Sequence, residues 1–184
     1  MKTSILILLF ALAVWLAPAH AGVIGLSPQP GSGGLFDVVV NASNVFATPH
    51  QDDPLLAYGF DVNFNSATVS YLGETAGPLF ADLSGQPGLM AQVAGVAANI
   101  LLSPGDFTEP LVLATLHFST LAPGPIQIGI TGDPANLDQG LIYLSGSDEI
   151  LAGISIPEPG TYLSGIALFA ILAIRRSRFF PRFR

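Results

Sequence analysis

Apolar and polar residues alternate with a period of two through several short segments of this chain. The clearest example is AYGFDVNFN, residues 57–65, in which every second side chain is aromatic or β-branched. Successive side chains of an extended backbone point to opposite faces, so this pattern predicts a strand with one buried face. The side chains expected on that face are Tyr58, Phe60, Val62 and Phe64.

Gly- and Pro-rich turns separate this segment from others with a similar pattern. We predict further strands in LFDVVVNASNV, TVSYLG, LMAQVAGVAANI, PLVLATLHFSTL, GPIQIGIT and GLIYLSG. In PLVLATLHFSTL the buried face is expected to hold Val112, Ala114, Leu116 and Phe118. Many short strands punctuated by turns predict an all-β fold, an antiparallel jelly-roll-type β-sandwich. The expected core contributors are Phe36, Val38, Phe60, Val62, Phe64, Leu116 and Phe118.

Charged residues are segregated along the 184-residue chain, which is long enough for one domain of ordinary size. Every Lys and Arg lies before residue 3 or after residue 174, whereas all 13 Asp and Glu residues lie between Asp37 and Glu158. Residues 22–156 therefore contain no Lys or Arg, and His50 and His117 are their only basic side chains. Such a surface repels phosphate backbones, so we expect no nucleic-acid partner. The chain has no cysteine, which excludes disulfides, thiol catalysis and cysteine-ligated metals.

The first 21 residues have the organisation of a secretory signal peptide. Lys2 precedes an apolar run from Ile5 to Leu16, and the small residues Ala19 and Ala21 follow it. A basic start, a short apolar segment and small residues at positions −3 and −1 are typical of a cleavable export signal. We predict cleavage after Ala21, so that the exported chain begins at Gly22.

The C-terminal segment combines a short apolar stretch with a cluster of arginines. Residues 161–174 would span about 21 Å as a helix, less than the hydrocarbon core of about 30 Å. Counting from Pro157, with the arginine side chains extended to the membrane surface, brings the span closer to the required length. Five arginines follow within ten residues, and such clusters stay on the cytoplasmic side. We therefore predict a transmembrane helix over residues 161–174, stopped at the membrane by Arg175, Arg176 and Arg178. The domain would lie outside.

Pro157-Glu158-Pro159 stands immediately before this apolar stretch. The order of a Pro-Glu-Pro motif, an apolar helix and terminal arginines over residues 155–184 resembles the PEP-CTERM sorting signal of exported bacterial proteins. The resemblance implies recognition of Pro157, Glu158 and Pro159 by a membrane protease-transpeptidase called exosortase. It also implies removal of the tail from an inner-membrane precursor, and a final place at the cell surface or in the extracellular matrix. A simple tail anchor with a proline-rich stem is the alternative.

The segments LFDVVVNASNV, LAYGFDVNFNSATVSYLG and LVLATLHFSTLAPGPIQIGI, in that order, resemble the cohesin-like jelly roll. That family is related to carbohydrate-binding β-sandwiches, and the resemblance covers the predicted domain at residues 22–154. It implies a fold rather than a set of binding residues.

Residue types with catalytic or ligand-binding chemistry are sparse in the predicted domain. His50, Asp52 and Asp53 could bind a metal, but we interpret their segment, ATPHQDDP, as an exposed polar loop. His117 lies within a predicted strand, and we expect it to be exposed rather than catalytic. Calcium is the one cofactor considered, at Asp133, Asn136 and Asp138 before Gly140; a β-turn with an Asx cap explains the same residues. We therefore predict no cofactor, no metal site and no enzymatic activity.

The leading hypothesis is a non-enzymatic exported module that binds polysaccharide or a neighbouring surface protein. A glycan-active enzyme, or its carbohydrate-binding accessory domain, is one alternative. A simple tail-anchored envelope coat protein is another. Sugars stack on exposed aromatic rings, so rings on the surface would favour glycan binding. Each of the candidate rings could instead belong to the core; they are Phe46, Tyr71, Phe80, Phe107 and Tyr143.

Overall fold

Eleven β-strands and no helix make up the regular secondary structure of the computed structural model, which describes residues 22–99 and 101–156. The prediction of an all-β fold is therefore confirmed for this part of the chain. The strands are β1 (Val23–Pro30), β2 (Leu35–Ser43), β3 (Leu55–Phe64), β4 (Val69–Ala76), β5 (Phe80–Asp82), β6 (Val93–Ala97), β7 (Leu111–Thr120), β8 (Ile126–Gly132), β9 (Gly140–Tyr143), β10 (Ser147–Asp148) and β11 (Ile150–Ile156).

One sheet contains four antiparallel strands in the order β1-β2-β7-β4. Strand β2 shows how the alternating sequence pattern gives this sheet one buried face. Val38, Val40 and Ala42 are fully buried, whereas the intervening Val39 and Asn41 are only partly covered. One face of the strand packs into the interior and the other borders solvent, as the sequence predicts.

The second sheet is organised around β3, the long strand with the clearest alternation. β6 pairs with its first half, and β5 pairs with β6. β9 and β8 pair antiparallel with successive parts of β3, at residues 55–59 and 61–64. Residues 133–139 therefore form an insertion between two strands that run in the same direction. β10 and β11 pair with β9 and β8 on the far side.

Apolar side chains of the two sheets meet in one core. Phe118 of β7 contacts Phe64 of β3 edge to face, with ring centroids 5.8 Å apart, and stacks on Phe36 of β2 at 5.4 Å. The core predicted from the sequence is confirmed, with Phe36 and Phe64 partly buried at its margin. The fully or almost fully buried members of that predicted core are Val38, Phe60, Val62, Leu116 and Phe118.

Two β-bulges change which residues face the core. The pairing of β2 with β7 skips Leu113, because Val40 lies opposite Ala114 and the next residue of β2 lies opposite Val112. The prediction that Val112 points inward is therefore wrong, since Leu113 is buried and Val112 is only partly covered. Leu72 is skipped in the same way in β4 and is 56% exposed. An extra residue in one strand reverses the alternation beyond it.

Several strands lie where the sequence pattern is weak. The alternating pattern does not predict β1, β5, β10 or β11, and only Val93–Ala97 is extended within LMAQVAGVAANI. β1 contains Pro28 and Pro30 and its last residues look like a turn. It nevertheless pairs with β2 throughout, and it pairs with no other strand in the described part of the chain. Proline is tolerated there because an edge strand has N–H groups that need no ladder partner.

The predicted signal peptide, at residues 1–21, and the residues from 157 onward lie outside the described part of the chain. Within residues 22–99 and 101–156, no helix is long and apolar enough to cross a membrane.

Candidate binding site between residues 44–47 and 104–109

Two loops at one end of the sandwich border an open cavity of about 300 Å³. One loop follows β2 and the other precedes β7, so the paired strands bring the loops together. The cavity is lined by Asn44, Phe46, Ala47, Pro104, Gly105, Phe107 and Glu109.

The rings of Phe46 and Phe107 form the apolar part of this cavity. Their centroids are 5.8 Å apart and their planes are tilted by 39°. Both rings pack against the core on one side and remain partly exposed on the other. Partly exposed aromatic rings in a concavity are typical of ligand sites, because they offer apolar surface at little cost in conformational entropy.

Glu109 and Asn44 supply polar groups beside the rings. The Glu109 Oε1 atom accepts a hydrogen bond from the Val45 backbone N–H at 3.3 Å, which fixes the position of the carboxylate relative to the first loop. Asn44 has a φ of 55°, in the left-handed region, which its short polar side chain tolerates. Its carbonyl oxygen accepts from the Ala47 N–H at 3.0 Å. The loop thereby turns sharply enough to present Phe46.

His50 fixes the other end of the same loop. Its imidazole is only 6% exposed and stacks on Tyr143 of β9. The Nδ1 atom lies 3.0 Å from Asp53 Oδ2, and Nε2 lies 3.2 Å from Asp148 Oδ1. The Tyr143 hydroxyl in turn donates to the Val45 carbonyl oxygen at 2.7 Å. The expectation that ATPHQDDP is simply an exposed loop is therefore wrong for His50, because the two carboxylates and the phenol ring enclose it.

Asp53 is held by more than His50. The Ser145 hydroxyl donates to Asp53 Oδ2, and the Ser145 N–H donates to the carboxylate at 3.2 Å. These hydrogen bonds from Ser145, together with the nearby imidazole of His50, outweigh desolvation and hold the pKa of Asp53 below its ordinary value of 3.8. Burial raises the pKa of the Tyr143 phenol well above its usual range, and the carboxylates of Asp148 and Asp53 add to that effect.

The five aromatic candidates divide into three groups. Phe46 and Phe107 lie together in the cavity. Tyr71 is partly buried against Phe64 and Phe118. Phe80 and Tyr143 belong to the core, the alternative left open for each ring, because they are only 7% and 2% exposed. The sequence does not reveal the pairing of Phe46 with Phe107, since it arises from two loops 61 positions apart.

The residues considered for calcium form a hydrogen-bonded loop. Asp133 Oδ1 accepts from the Ala135 N–H at 2.9 Å, which is an Asx turn. Asp138 accepts from the backbone N–H groups of Met90 and Ala91. Desolvation raises the pKa of the Asp138 carboxyl, but the hydrogen bonds from these two N–H groups lower it, and the pKa lies below its ordinary value. Among the described residues, no three His, Cys, Asp or Glu side chains are grouped to hold a metal ion.

His117 takes part in a line of hydrogen bonds across the outer face of the four-stranded sheet. Its Nδ1 atom lies 2.8 Å from Asp37 Oδ1, and its Nε2 atom lies 2.9 Å from Thr75 Oγ1. The same order of groups, hydroxyl, imidazole and carboxylate, occurs in hydrolases. Here the side chains of His117 and Asp37 are 35% and 48% exposed on an open sheet. The line lies outside the cavity between the two loops.

Two further concave surfaces are larger. One, of about 660 Å³, lies over β8 and β11 and includes Gly129 and Gly153. The other, of about 440 Å³, lies between the turn after β1 and Ile126. Phe64 and Phe36, the aromatic rings that line them, pack on Phe118 in the core. A pair of partly exposed rings beside a carboxylate distinguishes the 300 Å³ cavity from both.

Of the residues predicted to direct export and sorting, only Gly22 falls in the described part of the chain. Its N–H donates to the Asn44 carbonyl oxygen at 3.1 Å, and its φ is 70°. The other predicted residues lie outside that part: Ala19, Ala21, Pro157, Glu158, Pro159, Arg175, Arg176 and Arg178.

Comparison with known proteins gives little beyond this geometry. No protein-family model matches the chain, and no curated protein matches it. A solved structure with some similarity is a cohesin module from the family 33 glycoside hydrolase of Clostridium perfringens ATCC13124. It is 10% identical over 74% of this chain and 93% of that chain, with a TM-score of 0.48. Similarity at this TM-score does not establish a shared fold, so the cohesin-like assignment stays a prediction.

Proposed function

We propose that this chain is an exported bacterial surface protein whose β-sandwich is a non-enzymatic binding module acting on extracellular polysaccharide. In this proposal the domain at residues 22–154 is a cohesin-like jelly roll. Residues 1–21 direct export, and exosortase processes the tail at Pro157-Glu158-Pro159. The order of these segments and the absence of Lys and Arg from residues 22–156 support the proposal.

The observation that carries the binding function is the cavity formed by Phe46, Phe107 and Glu109. Aromatic rings can stack on the apolar face of a sugar while a carboxylate accepts hydrogen bonds from its hydroxyl groups. The first loop is tied to β9 through His50 and Tyr143. A site held in place before the ligand arrives loses less conformational entropy on binding.

Catalysis is the second candidate, and the hydrogen-bonded line of Thr75, His117 and Asp37 is the observation in its favour. A hydrolase also needs donors aimed at the developing oxyanion and a site that excludes water. An open sheet face exposes this line to solvent, and the neighbouring backbone groups are engaged in strand pairing. Binding is therefore the better supported function.

The test uses the processed protein recovered from the surface of a host that carries an exosortase. Binding to the host's purified exopolysaccharide is measured by affinity electrophoresis, beside a pull-down from envelope extract. Retardation by polysaccharide that is weakened by Phe107→Ala, with an unchanged circular dichroism spectrum, supports the proposal. Retention of an envelope protein without any retardation would instead favour a protein partner. Ester or glycoside hydrolysis abolished by His117→Ala would favour the enzyme.

A further inference from the structure

Among residues 22–99 and 101–156, the cavity is bordered by negative charge and by no Lys or Arg side chain. Glu109 lines it, and Asp106 lies in the same short loop. Residues 22–156 contain twelve carboxylates and no Lys or Arg. Cleavage before Gly22 would add a single amino group, which would lie against the Asn44 carbonyl oxygen. The net field at this end of the domain is therefore negative, which raises the local concentration of cations and lowers that of anions.

The Glu109 carboxylate, which accepts one hydrogen bond from the protein, still has free acceptor positions for a ligand. Glu109 Oε1 accepts from the Val45 N–H, while an ionised carboxylate has two oxygens with about four acceptor positions. The side chain is exposed and borders the cavity. Its remaining acceptor positions are thus accessible to a donor on a ligand that rests on the two rings.

A cationic group is the donor that these surroundings favour. The faces of Phe46 and Phe107 carry the negative part of the ring quadrupole, which attracts ammonium groups. A carboxylate beside them adds a charge-assisted hydrogen bond, about twice as strong as a neutral one. A uronic-acid carboxylate in the same position would face Glu109, with Asp106 in the same loop, and the single amino group of the processed N-terminus at Asn44 could balance only one of these charges.

We infer that the cavity of Phe46, Phe107 and Glu109 selects glycans that carry free amino groups, and that it excludes glycans of uronic acids. This inference rests on the proposed function, since it names the class of polysaccharide that the module binds. Neutral N-acetylated sugars stack on the same rings without the ion pair, so they bind less tightly than their free-amine counterparts.

The test compares three hexasaccharides of equal length as probes: β-1,4-linked glucosamine, β-1,4-linked N-acetylglucosamine and α-1,4-linked galacturonic acid. Isothermal titration with the processed surface protein is expected to rank them in that order. The glucosamine hexamer should bind about tenfold more tightly than the N-acetylated one, which corresponds to one charge-assisted contact. Added salt should reduce this ratio because the ion pair is exposed to solvent.

Glu109→Gln is the decisive variant, because the amide oxygen can still accept from the Val45 N–H while the charge is removed. It should bring the two glucosamine-based hexamers to within about twofold of each other. Glu149→Gln removes one exposed charge outside the cavity and is the matched control, which should keep the tenfold ratio. A similar loss in both variants would mean that only the overall acidity of the domain attracts the amine, and would overturn the inference.

Two other outcomes separate this inference from the proposed function. If the N-acetylated and uronic-acid hexamers bind as tightly as the amine, and Phe107→Ala weakens all three, the selectivity is wrong and the binding function stands. If the protein binds none of the hexamers and none of the host polysaccharide, both are wrong.

Discussion

The imidazole ring of His50 lies face to face on the phenol ring of Tyr143, with centroids 3.8 Å apart and planes within 2°. The loop that carries Phe46 is joined through this contact to β9, in the opposite sheet. Both ring nitrogens of His50 face carboxylate oxygens, Nδ1 that of Asp53 at 3.0 Å and Nε2 that of Asp148 at 3.2 Å. His50 is therefore central to the shape of the cavity although it does not line it.

Truncation of the two domain histidines should have unequal effects. His50→Ala removes a buried ring and leaves Asp148 without that partner, so we expect a loss of about 2–3 kcal/mol in the free energy of unfolding. His117→Ala removes a partly exposed ring from an open sheet face and should cost less than about 1 kcal/mol. Urea denaturation of both variants measures the difference. Equal losses would contradict the structural role assigned to His50.

The domain should lose stability in acid, in part through Asp53. Its pKa is lower in the folded protein than the ordinary 3.8, so its contribution is complete above about pH 4 and is lost as the pH falls through the lowered value. Asp53→Asn should reduce this loss of stability at low pH, whereas Asp52→Asn, at an exposed neighbouring position, should leave the loss unchanged. Midpoints of thermal unfolding between about pH 5 and about pH 2 provide the measurement. If Asp53→Asn loses as much stability at low pH as the wild type, Asp53 does not contribute to the acid sensitivity.

Two strand glycines should respond in opposite ways to alanine. A Cβ at Gly95 would lie 2.5 Å from Cε1 of the fully buried Tyr58, so Gly95→Ala should cost about 1–3 kcal/mol through overpacking. A Cβ at Gly129 would meet nothing nearer than the Ala152 carbonyl oxygen at 3.5 Å. Gly129→Ala should therefore be neutral or stabilising by up to about 1 kcal/mol. Chemical denaturation measures the stability of both variants. A Gly95→Ala variant as stable as the wild type would contradict the overpacking and would mean that Tyr58 can move aside.

The exported protein should begin at Gly22. The N–H of Gly22 donates to the Asn44 carbonyl oxygen at 3.1 Å, so a chain that starts here would have its first residue held against the domain. Deletion of residues 2–21 should abolish export. N-terminal sequencing of the secreted form checks the cleavage position, and recovery of intact Met1 would refute it.

Glu158→Ala should block processing of the tail without affecting membrane insertion. Glu158 lies outside the predicted apolar span, and both prolines remain to keep the segment extended. We expect an unprocessed form that retains residues 175–184 to accumulate in the inner membrane of a host with exosortase.

Neutral replacement of Arg175, Arg176 and Arg178 should instead disturb the orientation of the tail, because a cationic cluster holds its end in the cytoplasm. The intact mass of protein from each membrane fraction distinguishes the two effects. Equal processing of wild type and Glu158→Ala would favour a simple tail anchor.

The sequence alone determined the fold class and most of the core. Alternation around Val38, Phe60 and Phe118 is a local property, because the backbone pleat places every second side chain on the same face. The segregation of charge is equally visible without a structure, and it limits the ligands that the domain can bind. These features need no knowledge of which strand pairs with which.

Only the tertiary structure decided the features that depend on pairing between distant segments. The bulge at Leu113 reverses a local pattern, and β2 must be in place before it can be recognised. His50 looks like a loop residue until β9 and β10 bring Tyr143 and Asp148 around it. Phe46 and Phe107 form a cavity because β2 and β7 are neighbours, although both belong to polar, turn-rich segments of the chain. Contacts of this kind are set by strand order and register, which side-chain periodicity does not specify.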